Sequence, residues 1–290
     1  MTITLTLTKN EIDFLYQTFK EFESKKPQYA IYQLKVENCT ITAYESLKVV
    51  FQGKDAQVYA SRFQASEDSF EVHAGSDEVG TGDYFGPVVV CACILTKPLE
   101  ELKLDDSKSL SDAYIKQIAP KIMELIPYSL LILNNEKYNQ IKKDNNLNEI
   151  KAKMHNQAYI NLNKKHTLPN LCIIDQFAPK ELYFRYLKNE PTIIKQLHFE
   201  TKAESKYQAV AAASIIARYT FLHCWDKMED HWNFKFHKGA STLVDEDIIR
   251  FVKQHGDQNL KHVAKLHFKN TDIIKRLDTC TDPQKLDQKI

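Results

Sequence analysis

A chain of 290 residues is long enough for one large domain or two modest ones, each with a core. Hydrophobic and charged fractions of 43% and 27% are those of a soluble globular protein, and no apolar run reaches membrane-spanning length. A formal net charge of +1 excludes no class of partner, whereas six scattered cysteines behind an N-terminus without signal or transit character read as reduced thiols in a cytoplasmic protein.

Residues 2–8 alternate apolar and polar side chains as a strand does. Asn10 is a candidate N-cap for a helix in which Ile12, Leu15, Phe19 and Phe22 recur at helical spacing. Three strand-like runs follow, YAIYQLKV, CTITAYES and LKVVFQG, giving a compact α+β unit that ends near Gly53. The polar stretch at 65–69 reads as a domain edge, so we expect one domain over 1–65 and a second over 70–290.

The second part begins with FEVHAGSDE, a strand running into the acidic pair Asp77 and Glu78. VVVCACIL, residues 88–95, is continuously apolar, as expected of a strand buried on both faces. Ser111 is placed to cap a helix carrying Ile115, Ile118, Ile122 and Leu125. The strand YSLLILN comes next, then a lysine-rich helix over 148–165. That helix reads either as a solvated face or as a phosphate-holding groove. LCIID is a short buried strand ending in Asp175, and QLHFETKAES gives a strand and turn that carry Glu204 to an alanine-rich helix. Strands alternating with helices predict a mixed α/β sheet covered by helices.

Carboxylates at the ends of central strands converge at a sheet edge, where open α/β proteins build their sites. Asp77, Glu78, Asp175 and Glu204 gathered there would repel one another unless cations sat among them. An all-oxygen set suits Mg²⁺ or Mn²⁺ rather than zinc. Two such ions about 3.5–4 Å apart can clamp the attacking and leaving oxygens of a phosphodiester. The plain alternative for each acid is a helix cap or a solvated edge.

Three of the seven glycines, Gly80, Gly82 and Gly86, crowd behind the acidic pair. The spacing is not a dinucleotide fingerprint, because the third glycine is one residue late and a strand follows where a helix is required. Glycines do allow close backbone approach to a ligand, here to a sugar hydroxyl beside the acids. Cys91 and Cys93 share one strand face without a second ligand pair and read as core. His223, His231 and His237 lie at no zinc spacing. Arg218, 14 residues after Glu204, is read as bracing an acid.

The ordered motifs DEVGTGDYFGPVVV, LDDSKSLS, LCIIDQF, ETKAES, AVAAASIIAR and HKGAS resemble those of the type 2 ribonucleases H, and among them bacterial ribonuclease HIII, over residues 70–270. The resemblance implies a ribonuclease-H-like mixed sheet with flanking helices. The α+β unit before it resembles, in element order, the TATA-box-binding-protein-like substrate-binding domain of ribonuclease HIII. It further implies a divalent-metal endonuclease that cuts the RNA strand of RNA/DNA hybrids and leaves 5′-phosphate and 3′-hydroxyl ends. By position, Asp77, Glu78, Asp175 and Glu204 become the catalytic and metal-holding acids of a two-ion site, with Asp77 bridging both ions. Gly80, Thr81 and Gly82, with Ser107 and Lys108, become substrate contacts. The expected partner is the hybrid itself, with no membrane, no obligate protein partner and a monomeric state.

Thr81 stands where ribonuclease HII usually carries arginine, and Glu204 where it carries aspartate. Both departures favour the HIII subgroup. The rival expectations are incision at single ribonucleotides in DNA, as by ribonuclease HII, and a binding module without catalysis.

Overall fold

The computed structural model describes residues 1–63, 70–99 and 110–274. The expected domain edge at 65–69 and the expected substrate contacts Ser107 and Lys108 lie outside the described residues. The chain divides into two compact units, Met1–Glu71 and Val72–Ile290.

In the first unit, strand β1 (Thr2–Thr6) leads into helix α1 (Lys9–Phe19). The N-cap of α1 is Thr8, not Asn10. Its hydroxyl accepts from the Glu11 N–H while the Glu11 carboxylate accepts from the Thr8 N–H, a reciprocal capping box that Asn10 is too late to form. Ile12 and Leu15 are buried, but Phe22 lies beyond α1 in a single 3₁₀ turn and is exposed. The strands β2 (Glu23–Ser24), β3 (Ala30–Val36), β4 (Cys39–Tyr44) and β5 (Lys48–Gly53) complete an antiparallel sheet of order β1-β5-β4-β3-β2. Alternate residues Tyr32, Leu34 and Val36 point into a core shared with Ile41, Val49 and Phe51. A short helix α2 (Ala56–Ala60), absent from the sequence reading, closes the unit.

The second unit is built on a mixed sheet. Strands β6 (His73–Val79), β7 (Val88–Leu95), β8 (Tyr128–Leu133), β9 (Leu171–Asp175) and β10 (His198–Glu200) lie in the order β10-β9-β6-β7-β8. β6, β9 and β10 run parallel, and β7 is antiparallel to both its neighbours. Every residue of β7 is buried, as its apolar run requires. Helix α3 (Asp112–Leu125) is capped by Ser111 and buries Ile115, Ile118 and Ile122, whereas Leu125 faces solvent. α4 (Asn135–Ile141), α5 (Leu147–Asn163), α6 (Lys180–Tyr186) and α7 (Gln208–Trp232) follow. Beyond α7 come α8 (Thr242–His255) and α9 (Leu260–Val263).

The seating of α7 against β6 decides where the acids point. A Cβ on Gly75 would come within 2.3 Å of the Val210 nitrogen, so only glycine lets the helix approach this closely. The side chains facing the sheet are correspondingly small, with Ala209, Ala212 and Ala213 fully buried. The alanine-rich sequence is thus a packing device. Cys91 and Cys93 are buried in β7, and the Cys93 thiol lies 3.1 Å from the Ala209 carbonyl, consistent with the core reading.

Candidate active site

Parallel pairing brings the first carboxylates together. The last pair between β6 and β9 is Ser76 with Ile174, so Asp77 and Asp175 are the next residues on adjacent strands leaving the same sheet edge. Glu200 of β10 pairs with Asp175, and the chain then turns through Lys202 in the left-handed conformation. A 3₁₀ turn, Ala203–Ser205, carries Glu204 back to this edge. The Ala203 N–H donates to the Asp175 carboxylate at 3.0 Å and pins that turn to β9.

Strand alternation sends the acidic dipeptide in two directions. Asp77 shares its face with His73 and Gly75, toward α7, and hydrogen-bonds Ser214 of that helix. Glu78 shares its face with Ser76, toward α5. Its Oε2 accepts from His155 Nε2 at 2.9 Å and its Oε1 is ion-paired with Lys151. His155 is fully buried, and its Nδ1 lies 2.7 Å from the Ser76 hydroxyl. A carboxylate only accepts, so Nε2 carries a proton toward Glu78. Phe177, two residues past Asp175, stacks on the His155 ring, and the Lys151 ammonium sits 4.0 Å from the Phe177 centroid.

The two neighbours titrate in opposite directions. Burial, followed by the charges of Glu78 and Asp175, pushes Asp77 up to about 7 against the Ser214 and backbone hydrogen bonds. Burial would raise Glu78 too, but the His155 hydrogen bond and charge, with those of Lys151, hold it below the usual carboxylate range. One acid is short of positive charge and the other is supplied with it. Among the described residues no three His, Cys, Asp or Glu side chains are already arranged to hold a metal ion. The donor chemistry nonetheless fits a hard cation: oxygen ligands only, with a buried carboxylate repelled by two others.

The glycine-rich segment has two kinds of glycine. Gly80 has φ +92°, and a Cβ there would stand 2.2 Å from the Pro87 carbonyl and 2.9 Å from the Phe221 ring. Its requirement is internal to the fold. Gly82 is exposed, and a Cβ there would meet nothing within 4 Å, so the protein itself leaves that space open. Thr81 between them is half-buried.

The HKGAS loop and the C-terminal part hold this segment in place. Tyr84 N–H donates to Gly239, Gly239 N–H to the Asp83 carboxylate, and Gly86 N–H to Val263. The buried Lys265 ammonium donates to the carbonyls of Asp83, Phe85 and Gly86, which takes all three of its donors. Arg218 does brace an acid, but that acid is Asp112, bound through Nε and Nη2 and shared with Lys238. His237 caps Asp247 through its backbone N–H and Nδ1.

Sequence reasoning missed Lys151, His155 and Lys265. The first two lie four apart on α5, a spacing that puts them on one face, but the surrounding lysines made the helix read as uniformly basic. Lys265 lies in a stretch with no motif.

The Ribonuclease HII family profile matches residues 74–271, and a Domain of unknown function (DUF3378) matches residues 2–72. A ribonuclease HIII of Bacillus licheniformis is 42% identical over 288 aligned positions, spanning 89% of this chain and 92% of that protein. The ribonuclease HIII of Bacillus subtilis (strain 168) is 40% identical over 92% of this chain and 94% of its own length. Among solved structures, Bst-RNase HIII in complex with Mn²⁺ aligns with a TM-score of 0.72 at 35% identity, covering 96% of this chain and 99% of that one. The chain belongs to the type 2 ribonucleases H, and within them to the ribonuclease HIII group.

Proposed function

We propose that this protein hydrolyses the RNA strand of RNA/DNA hybrids with divalent cations, leaving 5′-phosphate and 3′-hydroxyl ends. Asp77, Glu78, Asp175 and Glu204 are the residues that hold the ions. The observation that carries the reading is the meeting of the acids at one sheet edge: Asp77 and Asp175 leave adjacent parallel strands side by side, and the turn bearing Glu204 is pinned to the Asp175 carboxylate. The structure of Bst-RNase HIII in complex with Mn²⁺ supports the same class of ion. Bound ions supply an activated water and charge for the departing oxygen.

The chain's own residues do the remaining work. Ser214 and the Glu78 N–H fix the rotamer of Asp77, while Ala203 N–H fixes Asp175. His155 holds Glu78 from behind, anchored in turn by Ser76 and Phe177. The open space at Gly82 lets an RNA strand run along the backbone, where N–H and C=O groups are available to 2′-hydroxyls. The first unit serves as a second hybrid-binding surface, and the protein acts as a monomer.

The test is a hybrid labelled on either strand, incubated with Mg²⁺, with Mn²⁺, or with excess chelator. Cuts confined to the RNA strand, dependent on the ion and bearing 5′-phosphates, are expected. Cleavage of the DNA strand, or undiminished cleavage in chelator, contradicts the reading.

A further inference from the structure

Lys151 is a buried lysine paired with Glu78, one of the carboxylates assigned above to the ions. Its ammonium pairs with Oε1 of Glu78 while His155 takes Oε2, so both oxygens have a protein partner. The side chains of the ion pair are only 10% and 11% exposed, so solvent screens the contact little. The two partners of Glu78 differ in what an incoming ion would do to them. A carboxylate oxygen has a second lone pair, so His155 can keep its hydrogen bond while Glu78 ligates. An ammonium beside the same carboxylate as a divalent ion is repelled by it.

Phe177 gives the displaced ammonium somewhere to go. Its ring already lies 4.0 Å from the Lys151 nitrogen, and a cation over an aromatic face retains part of its stabilisation without a carboxylate. Phe177 follows Asp175 by two residues, so the resting place of the lysine and a second ligand travel on the same strand end.

We propose that Lys151 is the resident countercharge of Glu78, occupying the electrostatic place of a divalent ion in the metal-free protein and yielding when the ion enters. It thereby sets the ion concentration at which the site fills. This rests on the reading that the four acids bind divalent cations. Lys151 is a positioning residue: it acts on the ion through Glu78 and touches no reacting atom.

The measurement is Mn²⁺ affinity without nucleic acid, followed by the electron paramagnetic resonance of free Mn²⁺. Lys151→Met keeps the length and the packing on Phe177 but removes the charge. It should tighten Mn²⁺ binding by about ten-fold or more, as expected when a unit charge is taken from beside a divalent ion. Lys151→Arg, which keeps the charge, should stay near the wild-type affinity. A folded Lys151→Met protein with unchanged or weaker Mn²⁺ binding overturns the proposal, because a purely structural lysine gives that result.

Wild-type protein supplies an independent readout should Lys151→Met fail to fold. Acylation of Lys151, located by mass spectrometry, should be slow in chelator and accelerate at saturating Mg²⁺. Equal protection with and without the ion overturns the proposal. Wild-type protein that binds no Mn²⁺ removes both this inference and the metal-dependent function. Normal Mn²⁺ binding with either negative result removes the role of Lys151 alone.

Discussion

Asp77 and Glu78 are adjacent in sequence and both largely buried, yet differ in the partners that set their charge. The difference arises because a strand turns successive side chains to opposite faces, one toward Ser214 and the other toward His155 and Lys151. Asp77 therefore carries its charge at an electrostatic cost, and its replacement separates stability from function. Asp77→Asn keeps the shape and relieves repulsion from Glu78 and Asp175. Cleavage should fall by orders of magnitude while hybrid binding persists, since phosphate contacts elsewhere supply most of the affinity. In chelator, the same variant should melt above the wild type.

The pH dependence has a definite sign. A folded pKa of about 7 stands above the unfolded value of about 4, so the folded protein holds the proton more tightly in that window. Stability from this group is lost as pH rises from about 4 to about 7. The melting advantage of Asp77→Asn should widen over that range, and an advantage that shrinks with rising pH contradicts the account.

Glycine substitutions separate two roles that look alike in sequence. Gly80→Ala forces a positive φ and a clash with the Pro87 carbonyl, for a stability loss of about 2–4 kcal/mol measurable by denaturant unfolding. Gly82→Ala should melt like the wild type, and any loss of cleavage must then come from crowding the substrate. The positions of Asp77, Glu78 and Asp175 near strand ends were legible from the runs that precede them, whereas Glu204 lies on a 3₁₀ turn beyond β10. Lys151 and His155 were not legible, because their meaning depends on which face of α5 meets β6.

At the scale of elements, β6 and α7 act as one piece. Gly75 permits the approach of Val210, and that approach sets Ser214 against Asp77. Gly75→Ala should therefore push α7 outward, costing about 1–3 kcal/mol in thermal or denaturant unfolding, in the range for an overpacked core. It should also reduce cleavage by loosening Asp77, although residue 75 touches no substrate. Unchanged unfolding in this variant would mean that the helix is not seated as described.

The strands and long helices were readable from periodicity, and Ser111 from its capping position. The cap of α1 was misplaced because Asn10 draws attention as an N-cap type, whereas the signal was the Thr8 and Glu11 pair three residues apart. α2, α4, α6 and α9 have seven residues or fewer, too few to establish a period. α8 is different: Val244, Ile248 and Phe251 are buried at helical spacing, a pattern present in the sequence and left unread.

For the whole molecule, the division into two units carries its own expectation. Residues 72–290 enclose a core independent of the Ile12, Leu34 and Phe51 cluster in the first unit. That fragment should fold alone, keep the ion dependence of the full chain and bind hybrid more weakly. Steady-state kinetics should show a raised KM with a smaller change in kcat. A folded fragment that binds hybrid as tightly as the full chain would remove the role proposed for the first unit.

Thr81, in place of an arginine, has neither the reach nor the two-pronged phosphate grip of a guanidinium. Recognition should then be spread along several consecutive ribonucleotides, read by the backbone near Gly82 and aided by the first unit. The most direct measurement is the rate of cleavage, at equal concentration and with saturating Mg²⁺ or Mn²⁺, of four duplexes. These are an RNA/DNA hybrid, duplex DNA with one ribonucleotide, duplex DNA and double-stranded RNA. The account predicts fast cutting of the hybrid, poor cutting at the lone ribonucleotide and none of the other two. A lone ribonucleotide cut as fast as the continuous hybrid, or a hybrid left intact, would contradict it.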